Sequence, residues 1–208
     1  YPNIVYNIEN IETDLLDGNI SLNNSFLYKK DLQENYTTLA STQLNWRDDN
    51  VDRKSGLVFN NETNLKIVTI SEDNKNTNDN ENIRIYPQVS SKITYPLIKS
   101  SANLTQTLSP IIMPILAPYN NYTNPQTITE SNIFSLNRAT GLNQWESGPR
   151  LNYGMEWFLD LKDSIDIKLT IAQSAKINKR KEDSSEEVSD YMVSSRIIFD
   201  SNKYIDNT

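Results

Sequence analysis

Apolar and polar residues alternate along several stretches of the chain, and a period of two is typical of β-strands whose two faces meet different surroundings. The clearest stretch is 151–162, in which only Phe158 breaks the pattern. A second stretch begins at Ile165 after an Asp163-Ser164 turn, so the two predict an antiparallel hairpin. Its predicted apolar face consists of Leu151, Tyr153, Met155, Trp157, Ile165, Ile167, Leu169 and Ile171. The opposite face carries the charged residues Glu156, Asp160, Lys162, Asp166 and Lys168.

The same alternation predicts further strands elsewhere, while helical periodicity is hard to find. These strands are expected at 85–97 and 102–108, with weaker patterns at 20–28, 36–46, 57–70 and 191–199. Pro87 and Pro96 count against a central position for the 85–97 strand, because proline donates no ladder hydrogen bond. The pattern therefore predicts an all-β chain built as an antiparallel up-and-down meander.

The connections between the predicted strands differ in length and charge. The turns at 99–101 and 163–164 are short, whereas 71–82 and 178–190 are long, charged and without apolar anchors. Outer-membrane barrels have short periplasmic turns and long extracellular loops, so alternation of loop length is expected there and not in a soluble sandwich. On this interpretation residues 117–149 form one long excursion between consecutive strands.

Composition removes several classes of protein. Hydrophobic residues make up 37% of the 208 residues and mean hydropathy is -0.61, so no run approaches the roughly 18 apolar residues that a transmembrane helix needs. Barrel strands remain possible, since only their outward side chains must be apolar. A net charge of -7 argues against nucleic-acid binding. The absence of cysteine and histidine removes thiolate sites and the commonest general base, and no cofactor or metal is predicted.

A set of spaced motifs occupies residues 131–157, which read SNIFSLNRATGLNQWESGPRLNYGMEW. The motif residues are Asn132, Ile133, Phe134, Asn137, Arg138, Thr140, Gly141, Glu146, Gly148, Arg150, Asn152 and Gly154. This pattern resembles the family of the LPS-assembly protein LptD. The stretch LTQTLSPIIMPILAP at 104–118 and the early stretches YPNIVY, DGNISLNNSFLYKKD and LNWRDD are similar to strands of the same family. The chain departs from the family at Leu142, Asn143 and Gln144, where a Tyr-Asp-Arg triplet is usual, and at Ser109, where a glutamate is usual.

The resemblance implies a part of a large transmembrane β-barrel in the outer membrane of a Gram-negative cell. Such a barrel passes lipopolysaccharide (LPS) to the outer leaflet and is not an enzyme. The implied partners are LPS, outer-membrane lipid, an LptE-like plug lipoprotein and an LptA-like periplasmic bridge, with no nucleic acid. The chain is expected to be an internal fragment of one barrel domain, without the N-terminal periplasmic domain and the closing strands. The hairpin's apolar face would then meet lipid and its charged face the lumen.

Several alternatives remain open on the residues themselves. A soluble, carbohydrate-binding β-sandwich shows the same alternation, and a porin or a receptor is a competing outer-membrane barrel. Arg138, Glu146 and Arg150 are expected either to brace the long excursion or to be exposed loop charges. Gly141 and Gly148 are expected to adopt positive φ. The Ser71 to Asn82 loop could hold divalent cations, although solvation is the simpler expectation. Two carboxylates, for example those of Glu130 and Glu146, could form a glycosidase pair, which is the enzyme alternative.

Overall fold

The computed structural model describes residues 2–11, 17–31, 35–73, 80–119, 127–139, 141–161, 165–177 and 187–199. Thr140, Lys162 and the predicted Asp163-Ser164 turn lie outside the described residues, as do 74–79 and 178–186 of the two charged loops. Within these ranges no helix is long and apolar enough to cross a membrane. The strands are β1 Asn3–Ile11, β2 Asn19–Lys30, β3 Tyr36–Asp52, β4 Leu57–Asp73, β5 Asn80–Thr94, β6 Leu97–Ser100, β7 Leu104–Leu116, β8 Arg150–Leu161, β9 Ile165–Lys176 and β10 Met192–Phe199.

All ten strands belong to one antiparallel sheet, and nearly every strand pairs with its neighbours in sequence. The order is β1-β2-β3-β4-β5-β7-β8-β9-β10, with β6 paired to β7. The predicted all-β antiparallel meander is therefore confirmed. Among the described residues β1 and β10 are the edges of an open sheet.

Successive connections leave the sheet from opposite ends, and we name these ends by their loops. The short-turn end holds the connections at 12–18, 53–56, 101–103 and 162–164, and the long-loop end holds those at 31–35, 74–79, 117–149 and 177–191. The predicted difference in length is clear for the last two connections at each end. It fails at the start of the chain, where 31–35 is shorter than 12–18. Residues 117–149 do form one excursion between consecutive strands, β7 and β8.

The sheet has two chemically different faces, which the cross-strand register defines. We call the face against which residues 127–139 and 141–149 pack the inner face and the opposite one the outer face. Large apolar side chains lie solvent-exposed on the outer face of most of the strands. Examples from β1 to β10 are Ile4, Tyr6, Phe26, Leu44, Leu65, Ile67, Ile83, Ile85, Val89, Ile112, Tyr153, Met155, Val193, Ile197 and Phe199.

The strand predicted at 85–97 is two strands in the structure. Regular pairing with β7 runs to Thr94, and Tyr95 still donates its backbone N–H to the carbonyl oxygen of Pro110 at 3.1 Å. The ladder is interrupted at Pro96, which has no backbone N–H to donate, and resumes in β6. Pro87 does sit within β5, opposite Leu65 of β4, at a level where β7 no longer pairs with β5. The alternation at 102–108 covers only the first part of β7, but the strand does continue to Leu116, as the interpretation of 117–149 as one excursion requires.

Proline also thins the ladder between β5 and β7. Only four residue pairs join these strands, at Val89, Ser90, Ile93 and Thr94 of β5. The gap between Ser90 and Ile93 falls opposite Met113 and Pro114, and Pro114 cannot donate to the ladder. By contrast, twelve pairs join β7 to β8 without interruption. The β5–β7 seam is therefore the most weakly hydrogen-bonded junction among the long strands.

Candidate functional site: an inward segment on the polar face of the sheet

Residues 127–139 and 141–149 fold back over the inner face, and we call them the inward segment. Trp145 is its deepest anchor, with 1% of its surface exposed. Its ring packs edge-on against Tyr86 of β5 and joins an apolar cluster with Leu39, Val68 and Ile70. This cluster fixes the segment to β3, β4 and β5.

A second, smaller apolar cluster fixes the segment to β7. Leu136 packs against Met113 and Ile115, and Phe134 covers the same contact. The inner face of β7 is apolar here because the segment shields it, so the run 111–116 is apolar on both faces. This unbroken apolar run is the feature of the sequence that could have predicted a covered inner face, because the other strands alternate.

Side chains at the start of β8 hydrogen-bond to the segment's backbone. Arg150 donates from Nη2 to the carbonyl oxygen of Leu136 at 2.6 Å, and Asn152 donates from Nδ2 to that of Ile133 at 2.6 Å. Both side chains are fully buried. Because these donors satisfy carbonyls of a segment without regular secondary structure, they compensate for the ladder hydrogen bonds that it lacks.

An ion triad lies between the two clusters. Arg138 donates to both carboxylate oxygens of Glu146, through Nε at 2.7 Å and through Nη2, and Arg150 approaches the same carboxylate at 3.1 Å. Asn137 organises the loop by accepting from the backbone N–H of Glu146 at 2.9 Å and of Ala139 at 3.2 Å. The two arginines and the glutamate are therefore buried and joined, as the bracing interpretation expects and the exposed-charge alternative does not.

The triad carries two positive charges against one negative charge. Nη1 of Arg138 and both Nε and Nη1 of Arg150 are buried without a hydrogen-bond partner among the described residues. Burial alone would raise the pKa of Glu146, but the hydrogen bond from Arg138 and the charges of Arg150 and Arg138 outweigh it, and the pKa lies below its ordinary value. Glu146 is consequently held as a carboxylate.

A second ionic cluster ties the beginning of the segment to the last three strands. Glu130 pairs with Lys168 of β9 at 3.1 Å and with Arg196 of β10 at 3.4 Å, and it accepts a hydrogen bond from Ser194 at 2.8 Å. Lys168 also pairs with Glu156 of β8 at 3.2 Å. The Ser194 hydrogen bond, followed by that of Lys168, lowers the pKa of Glu130.

Glycine is required where the inward segment turns and where β8 lies close to β9. Gly141 and Gly148 have φ of 119° and 81°, as predicted, and a Cβ at Gly148 would also collide with the ring of Tyr119. Gly154 has an ordinary φ, but a Cβ there would overlap the backbone of β9 at Ile171 and Ala172. Gly141 is thus required for its positive φ, Gly154 for the close approach of β8 and β9, and Gly148 for both reasons.

The two carboxylates of the hypothetical glycosidase pair lie in separate ionic clusters. Glu130 binds Lys168 and Arg196, and Glu146 binds Arg138 and Arg150. The pKa of each is lowered, whereas a general acid of this class needs a raised pKa. Within the described ranges no group of three or more acidic side chains is arranged to hold a metal ion.

A cavity of about 460 Å³ opens between the inward segment and the sheet. Its walls include Lys92 of β5, Ser109 of β7 and Glu156 of β8, together with Glu130 and Phe134 of the segment. The inner face is thus partly filled by the segment and partly open.

Comparison with known families decides the relationship of the chain. A family described as LptD, LPS transport system D, matches residues 2–207. The chain belongs to the LptD family. No curated protein matches the sequence. LptD proteins transport LPS and assemble it at the outer membrane and are not enzymes, so this function replaces the porin, receptor and sandwich alternatives.

The residues that resemble the LptD motif converge at the contact between the inward segment and β8. Asn137, Arg138, Glu146 and Arg150 form or organise the ion triad, and Asn152 and Gly154 lie on the inner face of β8. Asn132 donates from Nδ2 to the carbonyl oxygen of Thr127 at 2.9 Å and shapes the start of the segment. The anchors Trp145 and Leu136 were missing from the predicted set, since nothing local to a single aromatic or leucine shows that it will be buried.

The hairpin residues divide as the alternation predicts. Leu151, Tyr153, Met155 and Trp157 of β8 share the outer face with Ile165, Ile167, Leu169 and Ile171 of β9. Glu156, Asp160, Asp166 and Lys168 lie on the inner face.

Replacing Glu146 with glutamine should release the inward segment. Glu146→Gln leaves Arg138 and Arg150 buried without a counter-charge, which costs about 3 to 5 kcal/mol. In full-length protein in lipid nanodiscs, hydrogen exchange of peptides covering 133–146 should accelerate accordingly. Glu81→Gln, at an exposed position of β5, is the matched control and should leave exchange unchanged. Equal exchange in the two variants would contradict the bracing role.

Acid should loosen the same segment. Because the pKa of Glu146 is lowered by folding, its stabilisation is complete above the ordinary pKa of 4.5 and is lost as pH falls through the lower folded pKa. A nitroxide attached at Asn143→Cys should therefore gain mobility in a step below pH 4.5. The step should disappear when Glu146→Gln is added, and its persistence in that double variant would assign it to another group.

Proposed function

We propose that this sheet is part of the wall of an LptD barrel in the outer membrane of a Gram-negative cell, with its outer face toward lipid and its inner face toward the lumen through which LPS passes. The observation that carries the proposal is the division of the two faces along the meander. A barrel wall has this construction, because lipid-facing and lumen-facing side chains alternate along every strand.

The outer face has the chemistry of a lipid-facing surface. Tyr153, Met155, Val193 and Ile197 lie on it with 37% to 64% of their surface exposed. A soluble protein rarely leaves such a continuous apolar surface open to water. Leu151, Trp157, Ile165, Ile167, Leu169 and Ile171 complete the proposed lipid-facing surface of the hairpin.

The inner face has the chemistry of a polar lumen. Asn45 receives hydrogen bonds from Gln43 and Asn64, both at 2.8 Å, and Arg47 pairs with Glu62 at 3.3 Å. On the hairpin, Glu156, Asp160, Asp166 and Lys168 are proposed to face the lumen, with Lys162 placed there by the alternation alone. A lysine or arginine facing lipid at mid-bilayer costs about 2 to 4 kcal/mol, which favours this placement of the charges.

Loop lengths support one orientation across the membrane. Extracellular loops of outer-membrane barrels are long and periplasmic turns are short. The long-loop end, which carries 117–149 and 177–191, is therefore proposed to face the cell exterior. The inward segment then enters the lumen from its outer opening and extends as far as Lys168, and the cavity beside Lys92 lies between the segment and the sheet.

The finer partnerships rest on family membership. We propose that the full-length protein is one barrel domain with further strands and an N-terminal periplasmic domain. An LptA-like bridge would deliver LPS to that domain, and an LptE-like lipoprotein would occupy the lumen. The open, polar inner face beyond the inward segment is the surface available to such a plug.

The face assignment can be tested with single cysteines in full-length protein in membranes. Phe158→Cys and Lys168→Cys on the inner face should react several-fold faster with a membrane-impermeant maleimide than Trp157→Cys and Leu169→Cys on the outer face. The four sites lie at matched depths, since Phe158 pairs with Lys168 and Trp157 with Leu169. Similar reactivity at all four would show that the apolar face is not in lipid.

Passage of LPS along the inner face can be tested by photo-crosslinking in growing cells. A photoreactive amino acid in place of Lys92, which lines the inner cavity, should capture LPS. The same amino acid in place of the neighbouring Ile93, on the outer face, should not. A lipoprotein adduct at Lys92 would identify the plug, whereas LPS capture at Ile93 alone would reverse the assignment of the lumen.

A further inference from the structure

A notch opens on the outer face of the sheet beside β6. It has a volume of about 390 Å³ and is lined by Leu97, Ile98, Lys99, Gln106, Leu108 and Trp157. This volume is within the range of small-molecule sites in proteins. The notch lies on the opposite face from the inward segment and the cavity beside Lys92, so the lumen does not account for it.

The notch exists because the sheet changes width at this point. β6 pairs with β7 along one edge, while β4 begins at Leu57 and its last pair with β5 joins Val58 to Thr94. Within the described part of the chain no strand pairs with the other edge of β6. The 53–56 turn ends where β6 begins, which leaves a step in the wall.

Two rows of side chains cross the notch on the outer face. Leu97, Leu108 and Trp157 are aligned across β6, β7 and β8 and form an apolar row. The next row toward the short-turn end holds Lys99 opposite Gln106. An apolar surface is thus followed by a cation, in the direction of the short-turn end.

The position of the cation fixes its depth in a membrane. Lys99 is exposed and forms no salt bridge with the other described residues. A lipid-facing lysine costs about 2 to 4 kcal/mol at the bilayer midplane but only about 0 to 1 kcal/mol near the interface. An unpaired strand edge is likewise not tolerated within the hydrocarbon region. Lys99 and the free edge of β6 therefore belong at the level of the lipid headgroups.

We propose that this notch binds a phospholipid of the leaflet at the short-turn end. The acyl chain lies along Leu97, Leu108 and Trp157, and the phosphate pairs with Lys99. A tryptophan and a lysine at the interface suit this occupant, since the ring packs on the upper chain while the lysine stem extends to the headgroup. The proposal rests on the barrel orientation proposed above, which places this end in the periplasmic leaflet.

A peptide strand added to β6 is the competing occupant, and the structure disfavours it. β6 has four residues and follows Pro96, and short edge strands interrupted by proline resist pairing. An added strand would also leave the lysine without a counter-charge. The apolar row and the cation together match a phospholipid, which has an apolar chain and an anionic headgroup, better than they match the backbone of an added peptide strand.

The test uses full-length protein in nanodiscs that contain a trace of phospholipid with a photoreactive group beside its phosphate. Adducts mapped by mass spectrometry should concentrate on peptides containing 97–108 and Trp157. Lys99→Gln should lower this yield about fivefold, the equivalent of about 1 kcal/mol for one surface cation and an anionic lipid. Lys54→Gln, which removes an exposed lysine in the 53–56 turn at the same end, should leave the yield unchanged.

Three results would overturn the proposal. The first is an equal yield in Lys99→Gln and Lys54→Gln, and the second is competition by inorganic phosphate, which would indicate a simple anion site. The third is stronger labelling of the notch by photoreactive LPS than by phospholipid. A phospholipid with a photoreactive group on its acyl chain tests the barrel proposal separately. Labelling of Met155 and Val193 without labelling of the notch would reject only the phospholipid site. No labelling anywhere on the outer face would also reject the proposal that this face is in lipid.

Discussion

The two faces of the sheet depend on cross-strand register, because a slip of one residue would move every side chain to the opposite face. β3 and β4 hold their register over seventeen consecutive pairs, and β8 and β9 hold theirs over twelve. A shift interrupts the pairing of β1 with β2 between Ile8 and Ile11. The inward segment covers part of the inner face and the outer face is largely apolar, so a slip in β8 would move Arg150 and Asn152 away from the segment and onto the outer face. The different chemistry of the two faces thus favours a single register.

Local alternation predicted the fold and the faces of the hairpin correctly, because side-chain direction in a strand follows from the backbone alone. It did not predict where strands would end. The strand before β6 ends before Pro96, which cannot donate a ladder hydrogen bond, whereas the alternation of apolar residues continues through it. Sequence motifs identified Arg138, Glu146 and Arg150, whose charges suggested pairing. They did not identify Trp145, because its burial depends on Tyr86, Val68 and Leu39, which lie far away in the chain.

The departure from the LptD pattern at 142–144 has a structural counterpart. Leu142 packs against the apolar cluster around Trp145, and the backbone N–H of Gln144 donates to Gly141 to close a turn. Lys66 also donates to the carbonyl oxygen of Gly141 at 3.3 Å and lies over the Trp145 ring. In this chain apolar packing and a lysine hold the tip of the segment where the family pattern places an acidic and a basic residue.

The inward segment is anchored on both sides of the sparse β5–β7 ladder. Trp145 binds the segment to β3, β4 and β5 on one side of the seam, while Leu136, Arg150 and Glu130 bind it to β7 through β10 on the other. The inward segment therefore connects β3–β5 with β7–β10, two groups of strands that the incomplete β5–β7 ladder joins only weakly. Separating β5 from β7 therefore requires the anchors of the inward segment to come apart together with the four pairs of the ladder, so the resistance of this junction to opening resides mainly in side chains.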